Sequence, residues 1–450
     1  MSIGINFGSA TGGTGFDVAA TVASIVAVQR TPEMAWTTRI TALKAQDAAL
    51  TSLGTNLSSL STALESLTSF DGVFAQKSGA VSDSASIALT SADSSASSGS
   101  HTLTVQSLAL TSTQHSSTVA AGMTLAGTFT LQVGTGAVQS IALTDANHTV
   151  AGLAASINAL QAGVTATAIT DSNGTRLSLV SAASGAASEI RTGGSVTNSA
   201  DGTPLSFTET QAGTDAAYTL DGIALNSASN SVTGALTGVS FQLLAVSTRP
   251  VTLQIANDTA ATSTALSTFV TAYNSLTTAL AAQEGKDTAG AAEPLFGDRT
   301  VALVQQQLAG ALTFANAHGG SSIAQLGISL GLDGKLSLSQ STLSAALQTN
   351  FSGVTSFFQT STDFGQNFTT ALNGLSSTGT GALALRALEN TTEETQLADN
   401  TSKLETRLTA YQASLTSQLT TANQILQEIP QKLNEFNQIY AAISGYKSSN

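Results

Sequence analysis

The stretch WTTRITALKAQDAALTSLGTNLSSLSTALESL, residues 36–67, sets Trp36, Leu43, Leu50, Leu57 and Leu64 seven residues apart, with Leu53, Leu60 and Leu67 interleaved. Apolar residues at alternating steps of three and four line one stripe of a helix, and a sustained seven-residue repeat is a coiled-coil seam. The far end of the chain carries a matching stripe. It runs Leu397, Leu404, Leu408, Tyr411, Leu415, then Leu419, Ala422, Leu426, Ile429, Leu433, Phe436, Tyr440 and Ile443. Two consecutive steps of four around Leu415 and Leu419 form a stutter, which locally unwinds a left-handed supercoil. Pro430 is expected to kink this helix or restart it. With strand-like sequence between the two stripes, the chain reads as a rod bearing a head.

Outward from the first seam, residues 1–15 are Gly, Ser and Thr punctuation, expected to be disordered on their own. Asp17 is placed to cap a helix whose apolar face is Val18, Val22, Ile25 and Val26, ending at Thr31-Pro32. A second helix is expected from about Glu33 to Ser69, on the order of 50 Å long, and Phe70-Asp71-Gly72 ends it.

From about Lys77 to Asp258 the period drops to two. His101, Leu103, Val105 and Ser107 alternate with Thr102, Thr104, Gln106 and Leu108, and Phe129–Val133 and Arg176–Val180 follow suit. Asn173-Gly174 and Asp221-Gly222 are two-residue hairpin signals, because both central residues of a type I′ turn need positive φ. One helix, about Val150–Leu160, interrupts the strands. Helical period returns through Leu266, Phe269, Val270, Tyr273 and Leu276. After a loop at Gly285–Gly297 come a helix at Thr300–Leu312, a hairpin turning at Asp333-Gly334 with Leu332, Leu336 and Leu338 as its apolar positions, and a helix at Ser339–Thr349. A Gly- and Ser-rich break at Gly374–Gly381 precedes the C-terminal helix.

Composition excludes several functions. Of 450 residues, 42% are hydrophobic, enough for real cores, while only 10% are charged and the net charge is −13. No Lys or Arg occurs between Lys77 and Arg176, so the clustered cations that neutralise phosphates are missing and nucleic-acid binding is set aside. Zero cysteines excludes disulfides, thiolate metal sites and Cys nucleophiles. No secretory leader pattern opens the chain, and Val18–Val28 is too short for a spanning helix, so membrane insertion is not expected. His101, His115, His148 and His318 lack ligand spacing, and no Gly-x-Ser-x-Gly elbow occurs. Gly12-Gly13-Thr14-Gly15 follows no strand and lacks the P-loop Lys, and Asp171-Ser172-Asn173-Gly174 lacks the calcium-loop Glu. No cofactor, metal or catalytic residue is therefore assigned.

Several blocks, in order, resemble one family. They are Gly15-Phe16-Asp17-Val18, His101–Ala109, Tyr218–Ile223 followed by Asn230 and Gly238-Val239, and Phe269–Asn274. Pro294–Arg299, then Leu326-Gly327-Ile328 through Asp333–Leu338, and Phe357-Phe358 complete them. The chain resembles the flagellar filament-capping family, also called hook-associated protein 2. The resemblance implies a ring of about five subunits at the filament tip, with terminal helices lining the structure and β domains facing flagellin and solvent. It also implies flagellin, a hook-filament junction protein and an export chaperone as partners, and an extracellular location reached without a cleaved leader. The last thirty residues depart from the family's usual ending, with Pro430 and the Asn/Gln-rich Gln431–Gln438, and this departure bears on the chaperone above all.

The expected fold is an α+β multidomain chain, with long terminal coiled-coil helices forming a stalk, a mixed α/β middle segment and a β-rich head of two subdomains. Residues 1–16 form a flexible N-terminus, 17–76 an N-terminal coiled-coil arm, and 77–117 with 213–258 one β-rich subdomain. Residues 118–212 form an inserted β-rich subdomain, 259–376 a mixed helical and hairpin domain near the N-terminal helix, and 377–450 a C-terminal arm. The packing residues are Val18, Val22, Ile25, Trp36, Leu43, Leu50, Leu53, Leu57, Leu60, Leu64, Leu67, Leu404, Leu408, Tyr411, Leu415, Leu426, Ile429, Leu433, Phe436 and Tyr440. They serve equally well for packing the two helices on each other or for packing subunits together, and the sparse flanking charge leaves orientation open. The function expected is a non-enzymatic cap. The alternatives are a secreted adhesin with a β-rich binding head, or another axial protein such as the hook-filament junction protein.

Overall fold

The computed structural model describes residues 15–317, 322–360 and 363–445. Of the flexible N-terminus expected over residues 1–16, only Gly15 and Phe16 lie inside them, and these two are held against α9 rather than free, while His318 lies outside. The helices are α1 (Val18–Gln29), α2 (Thr31–Thr68), α3 (Val150–Ala159), α4 (Thr259–Gln283), α5 (Arg299–Ala317), α6 (Gln340–Thr349), α7 (Phe351–Gln359), α8 (Phe364–Ser376) and α9 (Ala382–Gly445). The chain divides into two compact units, Met1–Thr68 with Ala265–Asn450, and Ser69–Thr264. The first unit thus takes residues 17–68 of the N-terminal arm, 265–376 of the mixed segment and the C-terminal arm, while residues 69–76 and 259–264 fall in the second.

In the first unit Asp17 caps α1 by accepting the Ala20 N–H. Pro32 does not end that helix. Arg30 does, and Pro32 sits in the first turn of α2, where a missing N–H costs nothing. α2 packs on α7, α8 and α9, and α8 on α5. Five phenylalanines join α4, α7 and α8. Phe357 stacks on Phe364 at 5.0 Å, Phe358 meets Phe364 edge-on at 5.7 Å, and Phe269 lies edge-on to Phe368 at 5.6 Å. α7 and α8 are additions to the expected elements, although Phe364, Phe368, Leu372 and Leu375 recur at helical steps along α8 and are buried.

Two expectations need correction here. α9 runs unbroken through Pro430, so the helix does not restart there. One lost hydrogen bond, about 3 kcal/mol, is small beside the bonds of a 64-residue helix. Leu332 is not an apolar contact of its hairpin but is fully exposed. Strand Ile328–Leu330 pairs with Leu336–Leu338, and Leu332 falls in the intervening loop. Leu336 is buried as expected, and Leu338 is half-buried.

The second unit holds two hydrophobic cores. The first lies between a five-stranded sheet, in the order Lys77–Val81, Val251–Asn257, Gly99–Ser107, Ala216–Leu220, Ile223–Ser227, and a three-stranded sheet of Ser231–Leu236, Val239–Leu243 and Ile87–Ala92. Leu103, Val105 and Leu253 on one sheet are buried with Ile87, Val232 and Phe241 on the other. Tyr218 meets Phe241 edge-on at 6.0 Å. Asp221 and Gly222 take φ of 52° and 84° between the paired Leu220 and Ile223, as a type I′ turn requires.

The second core spans Val119 to Val196 and includes Phe129, Leu131, Leu177, Leu179 and, on α3, Leu153 and Ile157. The turn expected at Asn173-Gly174 is displaced by one residue. Asp171 pairs with Gly174, so the loop is Ser172-Asn173, and Asp171 Oδ1 accepts the Asn173 N–H. Gly174 instead starts the next strand at φ 135°, where a Cβ would lie 2.3 Å from the Val119 carbonyl oxygen. Strand Thr111–Ser116 escaped sequence reading because its buried positions are Ser112, Gln114 and Ser116. Each binds backbone: Ser112 Oγ accepts Ile190 N–H, Gln114 Nε2 donates to Ile190 O, and Ser116 Oγ accepts Leu177 N–H. Hydrogen bonding is what makes such burial tolerable.

Asparagines supply a recurring device. Asn158, Asn230 and Asn274 each bind one residue through both its N–H and its C=O, namely Ala166, Ala109 and Leu336, at 2.7–2.9 Å. The side-chain amide presents a donor and an acceptor side by side, as a neighbouring strand would.

Candidate assembly surfaces

The first unit brings the two terminal stripes together. Phe16 N–H donates to Asn423 Oδ1 at 2.8 Å, Arg30 pairs with Glu405 at 2.6 Å and Arg39 with Glu393 at 2.7 Å. Further along, Asn390 Nδ2 donates to Asp47 Oδ1 at 2.7 Å. As residue numbers rise along α1 and α2 they fall along α9, so the helices are antiparallel. Orientation, left open by the low charge, is set by these few cross-pairs and by the fully buried Asn390, a polar contact that one register alone satisfies. Gly15, at φ 62°, closes the pairing where a Cβ would meet the Asn423 side chain.

The expected packing residues separate into three groups. Leu43, Leu50, Leu53, Leu57, Leu60, Leu64 and Leu67 on α2 are 0–3% exposed, and Val22, Leu404 and Leu408 are buried too. Val18, Ile25, Trp36, Leu415, Leu426 and Ile429 are half-buried. Tyr411, Leu433, Phe436 and Tyr440 are 42–67% exposed, as are Ile439 and Ile443. The proximal stripe is thus interior to the chain's own unit, and the distal stripe of α9 is open surface. Ile439, beside Tyr440, was missed because its step breaks the alternation of threes and fours.

Two carboxylates of this region sit below the ordinary range. Arg39 holds Glu393 down by its bidentate hydrogen bond, against a smaller desolvation effect. At Asp298 burial pushes up most strongly, yet the Thr300 N–H and the Arg386 guanidinium together outweigh it. Groups lowered on folding add stability that is complete above the unfolded value and lost as pH falls through the folded one. The helical signal is expected to melt at lower temperature as pH drops below about 4. Arg39→Met with Arg386→Met should flatten that dependence in melts followed by circular dichroism.

Among the described residues no cluster of three or more His, Asp or Glu could hold a metal, and no helix is long and apolar enough to cross a membrane. His101 Nδ1 bonds Asp221, while His115 and His148 bond backbone carbonyls nearby.

The flagellar hook-associated protein 2 N-terminus matches residues 14–112, and the flagellar hook-associated protein 2 C-terminus matches residues 213–431. The B-type flagellar hook-associated protein 2 of Pseudomonas aeruginosa is 31% identical over 424 residues, with 86% of each chain covered. The chain belongs to the flagellar hook-associated protein 2 family. The polar flagellar hook-associated protein 2 of Vibrio parahaemolyticus is 29% identical over 212 residues, 45% of this chain and 32% of that one. The crystal structure of the D1-D2-D3 domains of the Escherichia coli flagellar cap protein FliD superposes with a TM-score of 0.58 at 28% identity, covering 76% of this chain and 99% of that one. The two family matches flank residues 113–212, the stretch that contains the second β core. The C-terminal match stops at residue 431, within one residue of Pro430 and before most of the exposed distal stripe.

Proposed function

We propose that this member of the hook-associated protein 2 family caps the distal end of the flagellar filament and orders the addition of exported flagellin without any catalytic step. The observation that carries this reading is the distal stripe of α9: Leu433, Phe436, Tyr440 and Ile443 lie on one helical face and stay exposed in a chain whose other leucine stripe is fully covered. Apolar side chains repeated along one exposed helical face favour association with a complementary surface. Association of copies through it forms a closed ring of about five subunits. The ring holds incoming flagellin in a confined space and shifts as each subunit docks. Flagellin, the hook-filament junction protein and an export chaperone are its partners, and it reaches the outside through the flagellar channel. The adhesin reading draws no support from the relatives.

A gene deletion tests this. Deleted cells should release monomeric flagellin into the medium and lack full-length filaments, and the wild-type gene should restore both. Normal filaments with a defect only in attachment would replace the cap with the adhesin.

A further inference from the structure

The hairpin of the first unit presents apolar side chains that no described residue covers. Its strands are closed by backbone pairing from Ile328–Leu338 to Leu330–Leu336 and by a Ser329–Ser337 hydroxyl bond at 2.8 Å. Asn274 anchors it to α4 through both polar groups of Leu336. The loop is held in turn by Gly331 N–H to Lys335 O and Lys335 N–H to Asp333 Oδ1. On this ordered base Ile328 and Leu336 are buried, while Leu330 is 48% exposed and Leu332 is fully exposed. A knob already held in shape loses little conformational entropy when it binds.

A second patch of the same unit complements it. Between α5, the end of α8 and the start of α9 lies an open cleft of about 670 Å³, where Ala302, Leu303, Ala382 and Leu385 lie among polar side chains that include Arg299 and Glu389, the latter also paired with Arg386 at 3.3 Å. Leu303 and Leu385 are 40% and 47% exposed. The knob carries Asp333 and Lys335 on either side of its turn, opposite in sign to Arg299 and Glu389 respectively. The exposed Leu303 and Leu385 of the cleft are an apolar complement to the tip, and Arg299 is a counter-charge for Asp333.

We propose that the tip of the Ile328–Leu338 hairpin, with Leu332 as its knob, docks into the α5–α9 cleft of a second copy of this chain. This rests on the self-association proposed above and adds a second contact between copies to that of the distal α9 stripe. Because knob and cleft are different patches, the contact is heterologous, and its repetition generates a ring or an open helix rather than a two-fold dimer.

The chain has no cysteine, so single thiols can be placed freely at these exposed positions. Full-length Leu332→Cys and Leu303→Cys proteins, mixed and oxidised, should give a disulfide-linked heterodimer, and a chain carrying both changes should give a ladder of higher oligomers. Asp333→Arg should weaken self-association about tenfold, and adding Arg299→Asp should restore it. Oligomers in sedimentation without the heterodimer, or cross-linking of Leu332→Cys only to itself, would overturn this contact while self-association stands. Monomers at every concentration would overturn both.

Discussion

Leu57→Asp combined with Leu60→Asp unfolds the first unit rather than merely weakening assembly. Both leucines are 0% exposed within the chain's own fold, facing the helices that pack on α2. Each substitution removes a buried leucine, about 2–5 kcal/mol, and leaves a carboxylate that must be buried unpaired or protonated, several kcal/mol more. Against a typical domain stability of about 5–15 kcal/mol, two such changes exceed what the unit can lose. Circular dichroism of the full chain should show the helical signal depressed at ambient temperature, with protease cleaving within α2 and α9. The β signal should persist, because the two cores of the second unit draw on residues 87–255 and contain neither leucine. A double variant that melts like the parent but no longer associates would make the proximal stripe an interface and not a core.

The same chemistry one stripe further on has the opposite result. Leu433→Asp, Phe436→Asp and Tyr440→Asp together should leave both melting and protease resistance unchanged, since all three side chains are 44–67% exposed and surface changes cost about 0.5 kcal/mol or less. Self-association should fall about a thousandfold or more, because each side chain loses about 1.5–3 kcal/mol of burial between copies and every 1.4 kcal/mol is tenfold. Sedimentation across a concentration series measures the loss, and cells carrying the variant should shed flagellin. Oligomers of parental strength would move the assembly surface off distal α9. The pair of experiments separates folding from assembly on helices that the sequence writes in one alphabet.

Family and fold class were legible because their signals are local. Heptad leucines, the two-residue strand period, the Asp221-Gly222 turn and the capping Asp17 each depend on residues within a few positions of one another. The misses have a common cause as well. The buried face of Thr111–Ser116 is polar and makes sense only beside Ile190 and Leu177. Phe364 and Phe368 gain meaning from Phe269, about a hundred residues earlier in the chain. Asn158, Asn230 and Asn274 look like ordinary polar residues until each is found paired with one backbone unit.

By itself the sequence determined that two long apolar stripes exist, that a β-rich segment separates them, and which family the chain resembles. A stripe states only that one helical face avoids water. Whether that face is covered from within the chain or left for another molecule depends on what lies beside it, and for α2 the neighbours are α7, α8 and α9, some 300 residues away. Burial is a property of assembled surfaces, set by long-range packing and not by local period. Only the tertiary structure could therefore decide that Leu43–Leu67 is interior while Leu433–Ile443 is open.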